Sequence, residues 1–199
     1  MKLKLLFLAF LVLSTSAIVE KSPVTIYMIG DSTMANRNLK NPKNKERGWG
    51  MMLGSFFPSD KVVVSNHAAS GRSTKSFINE KRWARVVALI KPGDYVFIQF
   101  GHNDEKKENP KLYTEPGGTF DDNLRKFVNE TRAKGGIPVL FNSIVRRKFC
   151  QDAAGQFTDS LLDTHGEYLL SPKRVAEELN VPFIDMNKMT HDLVCQMGP

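Results

Sequence analysis

Gly30-Asp31-Ser32-Thr33 places a hydroxyl beside a carboxylate directly after an apolar, β-branched run, 24–29. A serine on the turn that leaves a strand can project its hydroxyl into a crevice. Backbone N–H groups where a following helix starts can stabilise negative charge developing there. Taken alone, the tripeptide fits better with Asp31 and Ser32 simply capping that helix. Two further segments alter the balance. Ala69-Ser70-Gly71-Arg72-Ser73 and Phe100-Gly101-His102-Asn103-Asp104 each follow another apolar run. Gly71 can present a backbone N–H with no side chain in the way, and Asn103 can present a side-chain amide. With the N–H of Ser32 they compose a donor set for an oxyanion.

Acyl transfer through a serine also needs an imidazole within hydrogen-bond reach, oriented by a carboxylate. The chain has four histidines. His67 precedes the second segment, and His102 sits inside the third, where it is suited to shaping the pocket. Asp163-Thr164-His165 pairs a carboxylate with an imidazole, but ahead of the last strand-like run rather than after it. His191 and Asp192 are neighbours on a helical stretch, 187–196, and adjacent helical side chains do not face each other. These residues by themselves do not single out a general base with its orienting Asp. The histidines and cysteines lack ligand spacing, so neither a metal nor a cofactor is expected.

These segments need a scaffold that brings them to one edge. About five strands can be read, at 24–29, 61–65, 94–100, 137–142 and 181–185, separated by amphipathic stretches at 73–90 and 119–134. The alternation is that of βα units around a parallel sheet. Lys91-Pro92-Gly93 and Lys134-Gly135-Gly136 end the two helices with glycine available for the left-handed turn. Loops at the carboxyl ends of such strands form the ligand crevice, and all the candidate segments follow strands.

On these residues a resemblance can be named. Gly30-Asp31-Ser32, Gly71 and Gly101-x-Asn103-Asp104 resemble the first three sequence blocks of the SGNH, or GDSL-like, hydrolases. The resemblance implies an α/β, flavodoxin-like three-layer αβα sandwich, with Ser32 as nucleophile and Ser32, Gly71 and Asn103 as oxyanion hole. Asp31, Gly101 and Asp104 support them. Arg47-Gly48-Trp49-Gly50, Ala69 to Phe77 and Asp163-Thr164-His165-Gly166 further resemble the rhamnogalacturonan acetylesterases, which deacetylate a pectic backbone rich in galacturonate. In those enzymes an Asp-x-x-His block follows the helix equivalent to 187–196 and leads into a terminal helix. This sequence reaches Gly198-Pro199 without it. The expectation is thus a domain without its last helix, less covered on one sheet face, with little turnover of its own. Another SGNH esterase or lipase, or an inactive carbohydrate-binding fragment, is the alternative.

The ends and the composition add context. Lys2 and Lys4 ahead of an apolar run and Ser14-Thr15-Ser16-Ala17 read as a signal peptide, residues 1–17, leaving 18–199 as one hydrolase domain. The run is shorter than the roughly 20 residues that span a bilayer. Export to a periplasmic or extracellular location follows. The formal charge of +7 includes the two lysines of that leader. The remaining surplus suits an acetylated anionic polysaccharide, while no nucleic-acid-binding motif accompanies it. Cys150 and Cys195 are expected to be free.

Overall fold

The computed structural model describes residues 22–40 and 43–199. The expected signal peptide, residues 1–17, lies outside them. In chain order the elements are β1 (Val24–Gly30), β2 (Val62–Asn66), α1 (Thr74–Asn79), α2 (Arg82–Val87), β3 (Tyr95–Gln99), α3 (Thr119–Ala133), β4 (Ile137–Phe141), β5 (Phe149–Gln151), β6 (Phe157–Leu161), α4 (Leu170–Leu179), β7 (Phe183–Ile184) and α5 (Met186–Met197). Short 3₁₀ turns occupy Trp49–Met51, Leu53–Phe56 and Gly166–Leu169.

Five strands form one parallel sheet in the order β2-β1-β3-β4-β7. This is the α/β arrangement expected, with helices flanking the sheet. Since β1 lies between β2 and β3, the chain steps outward from β1 and then crosses back over it. That reversal is a switch point, and the carboxyl ends of β1 and β3 diverge there to leave room for a ligand.

Alternating side chains divide the sheet into two faces. Tyr27, Ile29, Val96, Ile98 and Leu140 point to one, where they bury Phe77, Trp83, Phe120, Leu124, Phe127 and Val175 from the helices. Trp83 meets Phe127 edge-on at 5.0 Å, and Phe100 stacks on Phe127 at 5.6 Å. Each fully buried aromatic or aliphatic side chain here is worth about 1.5–3 kcal/mol of transfer free energy. The opposite face carries a smaller core of Ile26, Met28 and Met34, with Trp49, Leu53 and Phe97 packed against it. Among the described residues it is only partly covered. Val24, Tyr95, Val139, Pro182 and Ile184 border an open apolar concavity of about 490 Å³ there.

Several boundaries differ from the sequence reading. The expected helix 73–90 is broken into α1 and α2 by Lys81, which takes a left-handed backbone at φ 56°. Ser73 starts α1 with a capping box, its side chain accepting from the Ser76 N–H while the Ser76 hydroxyl accepts from the Ser73 N–H. The last strand shrinks to two residues, Phe183–Ile184. The antiparallel hairpin β5-β6 and helix α4 were not anticipated. Cys150 and Cys195 are free and half-buried.

Candidate active site

The carboxyl ends of β1, β2 and β3 bring Ser32, Gly71 and Asn103 to the same edge of the sheet. One expectation is corrected here: no helix starts after Ser32. Residues 32–34 form a turn, closed by the Ala35 N–H donating to the Asp31 carbonyl at 3.1 Å. Asp31 therefore does not cap a helix. Its Oδ1 accepts from the Thr33 N–H at 2.9 Å and the Thr33 hydroxyl at 2.8 Å, which stiffens the turn around Ser32. Asp31 is fully buried and its Oδ2 has no partner among the described residues. Burial accordingly pushes its carboxyl up, against the lowering effect of the Thr33 hydrogen bonds.

The segment 47–50, whose part the sequence alone left open, braces the same turn. Trp49 donates its backbone N–H to the Thr33 carbonyl at 2.9 Å and its indole N–H to Gln99 Oε1 at 2.8 Å. Gly48 lies so close beneath that a Cβ would come within 2.1 Å of the Ala35 carbonyl oxygen. The Ser32 hydroxyl itself is half-buried and makes no hydrogen bond with any described residue.

Gly71 has φ +77° with nothing within 4 Å of where a Cβ would stand, and its N–H makes no hydrogen bond with any described residue. The glycine is required by its backbone conformation, not by crowding. Gly101 is needed on both counts: at φ +145° a Cβ would approach Ser143 Oγ to 2.2 Å.

Asn103 and Asp104 join the second and third segments. Asn103 Nδ2 donates to the Arg72 carbonyl at 3.1 Å, and its Oδ1 accepts from Lys106 Nζ at 2.8 Å. Asp104, fully buried, accepts from the Thr74 N–H at 2.9 Å, the Thr74 hydroxyl at 2.5 Å and the Thr114 hydroxyl at 2.8 Å. It thereby holds the first turn of α1, and with it the loop carrying Gly71. Burial pushes the Asp104 carboxyl up to about 7, with buried Asp31 adding like-charge repulsion, against those hydrogen bonds.

No histidine hydrogen-bonds Ser32. His67 Nε2 pairs with the Ser65 hydroxyl at 2.9 Å. His191 lies beside Asp192 and Cys195 on α5, at 3.4 Å and 3.8 Å. His165, nearly buried, sets Nδ1 against Glu105 Oε2 at 3.0 Å and Nε2 against the Ile144 carbonyl at 3.1 Å. Asp163 does not orient its ring but accepts from its backbone N–H at 2.9 Å. Arg146 also pairs with Glu105 and donates to the Thr164 carbonyl at 3.2 Å. Burial pushes the Glu105 carboxyl up, but the hydrogen bonds from His165 and Arg146 prevail and hold it low. Its short polar motif gave no hint that 163–165 acts as a brace for the loop after β3. His102 packs edge-on against His165 at 4.5 Å, its Nε2 buried without a partner among the described residues. Burial, then the neighbouring His165 and Arg146, push His102 down to about 3.

A parallel sheet in this order, with Ser32, Gly71 and Asn103 on segments that follow its strands at the switch point, is the arrangement of an SGNH-type ester hydrolase. Residues 28–196 match the GDSL-like lipase/acylhydrolase family, and the chain belongs to that family. Rhamnogalacturonan acetylesterase RhgT of Bacillus subtilis (strain 168) is 38% identical over 179 residues, which are 90% of this chain and 72% of RhgT. The probable rhamnogalacturonan acetylesterase YesY of the same organism is 35% identical over 81% of this chain and 69% of its own length. The crystal structure of Bacillus subtilis YxiM superposes with a TM-score of 0.76 at 27% identity, covering 89% of this chain and 48% of that one. This chain thus spans about half of the YxiM structure. Axe2, an acetylxylan esterase from Geobacillus stearothermophilus, shares the fold at a TM-score of 0.63, 19% identity and 90% and 84% coverage.

Proposed function

We propose that this chain is the core of an exported carbohydrate acetylesterase that removes acetyl groups from rhamnogalacturonan. The observation that carries the reading is that Ser32, Gly71 and Asn103 all follow strands ending at the switch point, with the Ser32 hydroxyl making no hydrogen bond with any described residue. Ser32 Oγ attacks the acetyl carbonyl carbon. The carbonyl oxygen becomes an oxyanion held by the Ser32 and Gly71 N–H groups and Asn103 Nδ2. As it collapses back to a carbonyl the C–O bond to the sugar breaks, and the sugar oxygen takes up the proton that the Ser32 hydroxyl gave up on attack. Water then releases acetate from the acetyl-serine. Since His67, His102, His165 and His191 are all engaged away from Ser32, none of them is the general base in this reading.

Similarity to RhgT and YesY favours a pectic backbone over xylan. The basic side chains nearby agree. Arg37 Nη1 donates to Ser70 Oγ at 3.0 Å while pairing with Glu46, and Arg72 Nη1 donates to the Ser70 carbonyl at 2.8 Å while pairing with Glu80, which puts positive charge on the loop that carries Gly71. No helix among the described residues is long and apolar enough to cross a membrane, and export rests on the leader-like residues 1–17. The test is acetate release from acetylated rhamnogalacturonan and acetylated xylan by the chain and by Ser32→Ala, each with and without added imidazole. Faster release from xylan would overturn the substrate; undiminished release by folded Ser32→Ala would overturn the mechanism.

A further inference from the structure

A primary amide in an oxyanion site can do its work in only one of its two flipped orientations: the NH₂ must face the oxyanion and the carbonyl oxygen must face away. In Asn103 that choice is dictated by two neighbours of fixed character. The Arg72 carbonyl can only accept, so it requires Nδ2 on its side, at 3.1 Å. The Lys106 ammonium can only donate, so it requires Oδ1 on its own side, at 2.8 Å. The Arg72 contact takes one Nδ2 hydrogen, and the second makes no hydrogen bond with any described residue. Were the amide flipped, an NH₂ would meet an ammonium and a carbonyl would meet a carbonyl. Both contacts would be repulsive.

Lys106 is set apart from the other charged groups near the site. Arg37, Arg72 and Arg146 each have a carboxylate within 4.0 Å, in Glu46, Glu80 and Glu105. Among the described residues Lys106 pairs with no carboxylate, and its ammonium makes one side-chain hydrogen bond, to the Asn103 amide oxygen. It is half-buried, one turn beyond Asn103, where the Lys106 N–H also reaches the Asn103 carbonyl at 3.4 Å. A cation on the amide oxygen draws electron density from nitrogen and makes Nδ2–H a stronger donor. Its charge also favours the oxyanion across a short, partly desolvated path.

We infer that Lys106 is a positioning residue for the oxyanion hole: through Asn103 Oδ1 it fixes the flip state of the amide and strengthens its donor. The inference rests on the oxyanion role of Asn103 proposed above. The direct test is the ¹H–¹⁵N spectrum of the whole chain, with the Asn103 side-chain pair identified by its loss in Asn103→Ala. Lys106→Met, which keeps the length of the side chain and removes the donor, should move or exchange-broaden that pair; Lys106→Arg should restore a single sharp one. The kinetic arm uses a neutral aryl acetate, so that no substrate carboxylate can meet the lysine. There kcat should fall about tenfold in Lys106→Met, less than the 10²–10³ for full loss of a donor, with KM within about twofold and most of kcat recovered in Lys106→Arg. An Asn103 pair unmoved by Lys106→Met in folded protein overturns the inference. So does an unchanged kcat in Lys106→Met while Asn103→Ala is slow. An unchanged kcat in Asn103→Ala overturns instead the reading beneath it.

Discussion

Asn103 Nδ2 donates to the carbonyl of Arg72, the residue after Gly71, at 3.1 Å. The two groups expected to hold an oxyanion, which come from loops after different strands, are thereby locked to each other. Asn103→Ala breaks this tie and removes a donor at once. It should lower kcat by about 10²–10³ on an aryl acetate. Steady-state kinetics with circular dichroism as the folding control decide the matter, and an unchanged kcat would remove Asn103 from the site.

The two glycines of the site should respond differently to alanine. At Gly101 a Cβ would stand 2.2 Å from Ser143 Oγ at φ +145°, so strain and collision add; the cost should be about 3 kcal/mol or more. Gly71 has open space and bears only the left-handed strain, about 1–2 kcal/mol. Urea unfolding of both variants gives the order, and equal losses would contradict it.

Much of the scaffold was legible because it rests on burial. Runs such as Val24 to Ile29 and Tyr95 to Phe100 are apolar on both faces, as central parallel strands are. The hairpin β5-β6 was not legible, for Phe-Thr-Asp-Ser-Leu is mostly exposed and has no hydrophobic face to display. Helix α4 was hidden by Pro172 near its start and by the 3₁₀ turn ahead of it. Ser32, Gly71 and Asn103 could be singled out as candidates because each follows a strand, and the structure brings those strand ends to one edge. Their supports could not, since Thr74, Thr114, Trp49 and Lys106 reach the site through contacts that carry no spacing signal.

Asp104 should make the chain less stable as pH rises. Its folded value of about 7 lies above the usual carboxylate range, so the folded state binds the proton more tightly. That stabilisation is complete below about pH 4 and is lost as pH climbs through 7. Asp104→Asn, an uncharged mimic of the acid form, should lack this slope. Tm measured across pH 4 to 7 should show wild type falling relative to the variant; parallel curves would refute the shift.

His102 should act in the opposite sense at acid pH. Burial holds it at about 3 in the folded state, so the unfolded chain takes up its proton first. Stability contributed by the neutral ring is present above about pH 6.5 and is lost as pH falls toward 3. His102→Gln should flatten that acid limb in Tm without changing the limb assigned to Asp104. An acid limb of undiminished slope in the variant would place the proton uptake elsewhere.

The last prediction concerns the base. Ser32 Oγ has no hydrogen-bond partner among the described residues, and each histidine is committed elsewhere: His67 to Ser65, His165 to Glu105 and Ile144, His191 to Asp192, His102 to its buried packing against His165. With donors in place but no positioned imidazole, residues 1–199 should turn over slowly, on the order of 10³–10⁴ above the uncatalysed rate. Free imidazole should then act as an external base. The rate on an aryl acetate should rise with imidazole concentration and saturate, beyond the reaction of imidazole alone, and Ser32→Ala should abolish the excess. Replacing one histidine at a time completes the test: His67→Ala, His165→Ala and His191→Ala should each leave the imidazole-dependent rate in place. If the chain by itself were as fast as an intact acetylesterase, and one of these changes abolished that rate while the fold survived, that histidine would be the base.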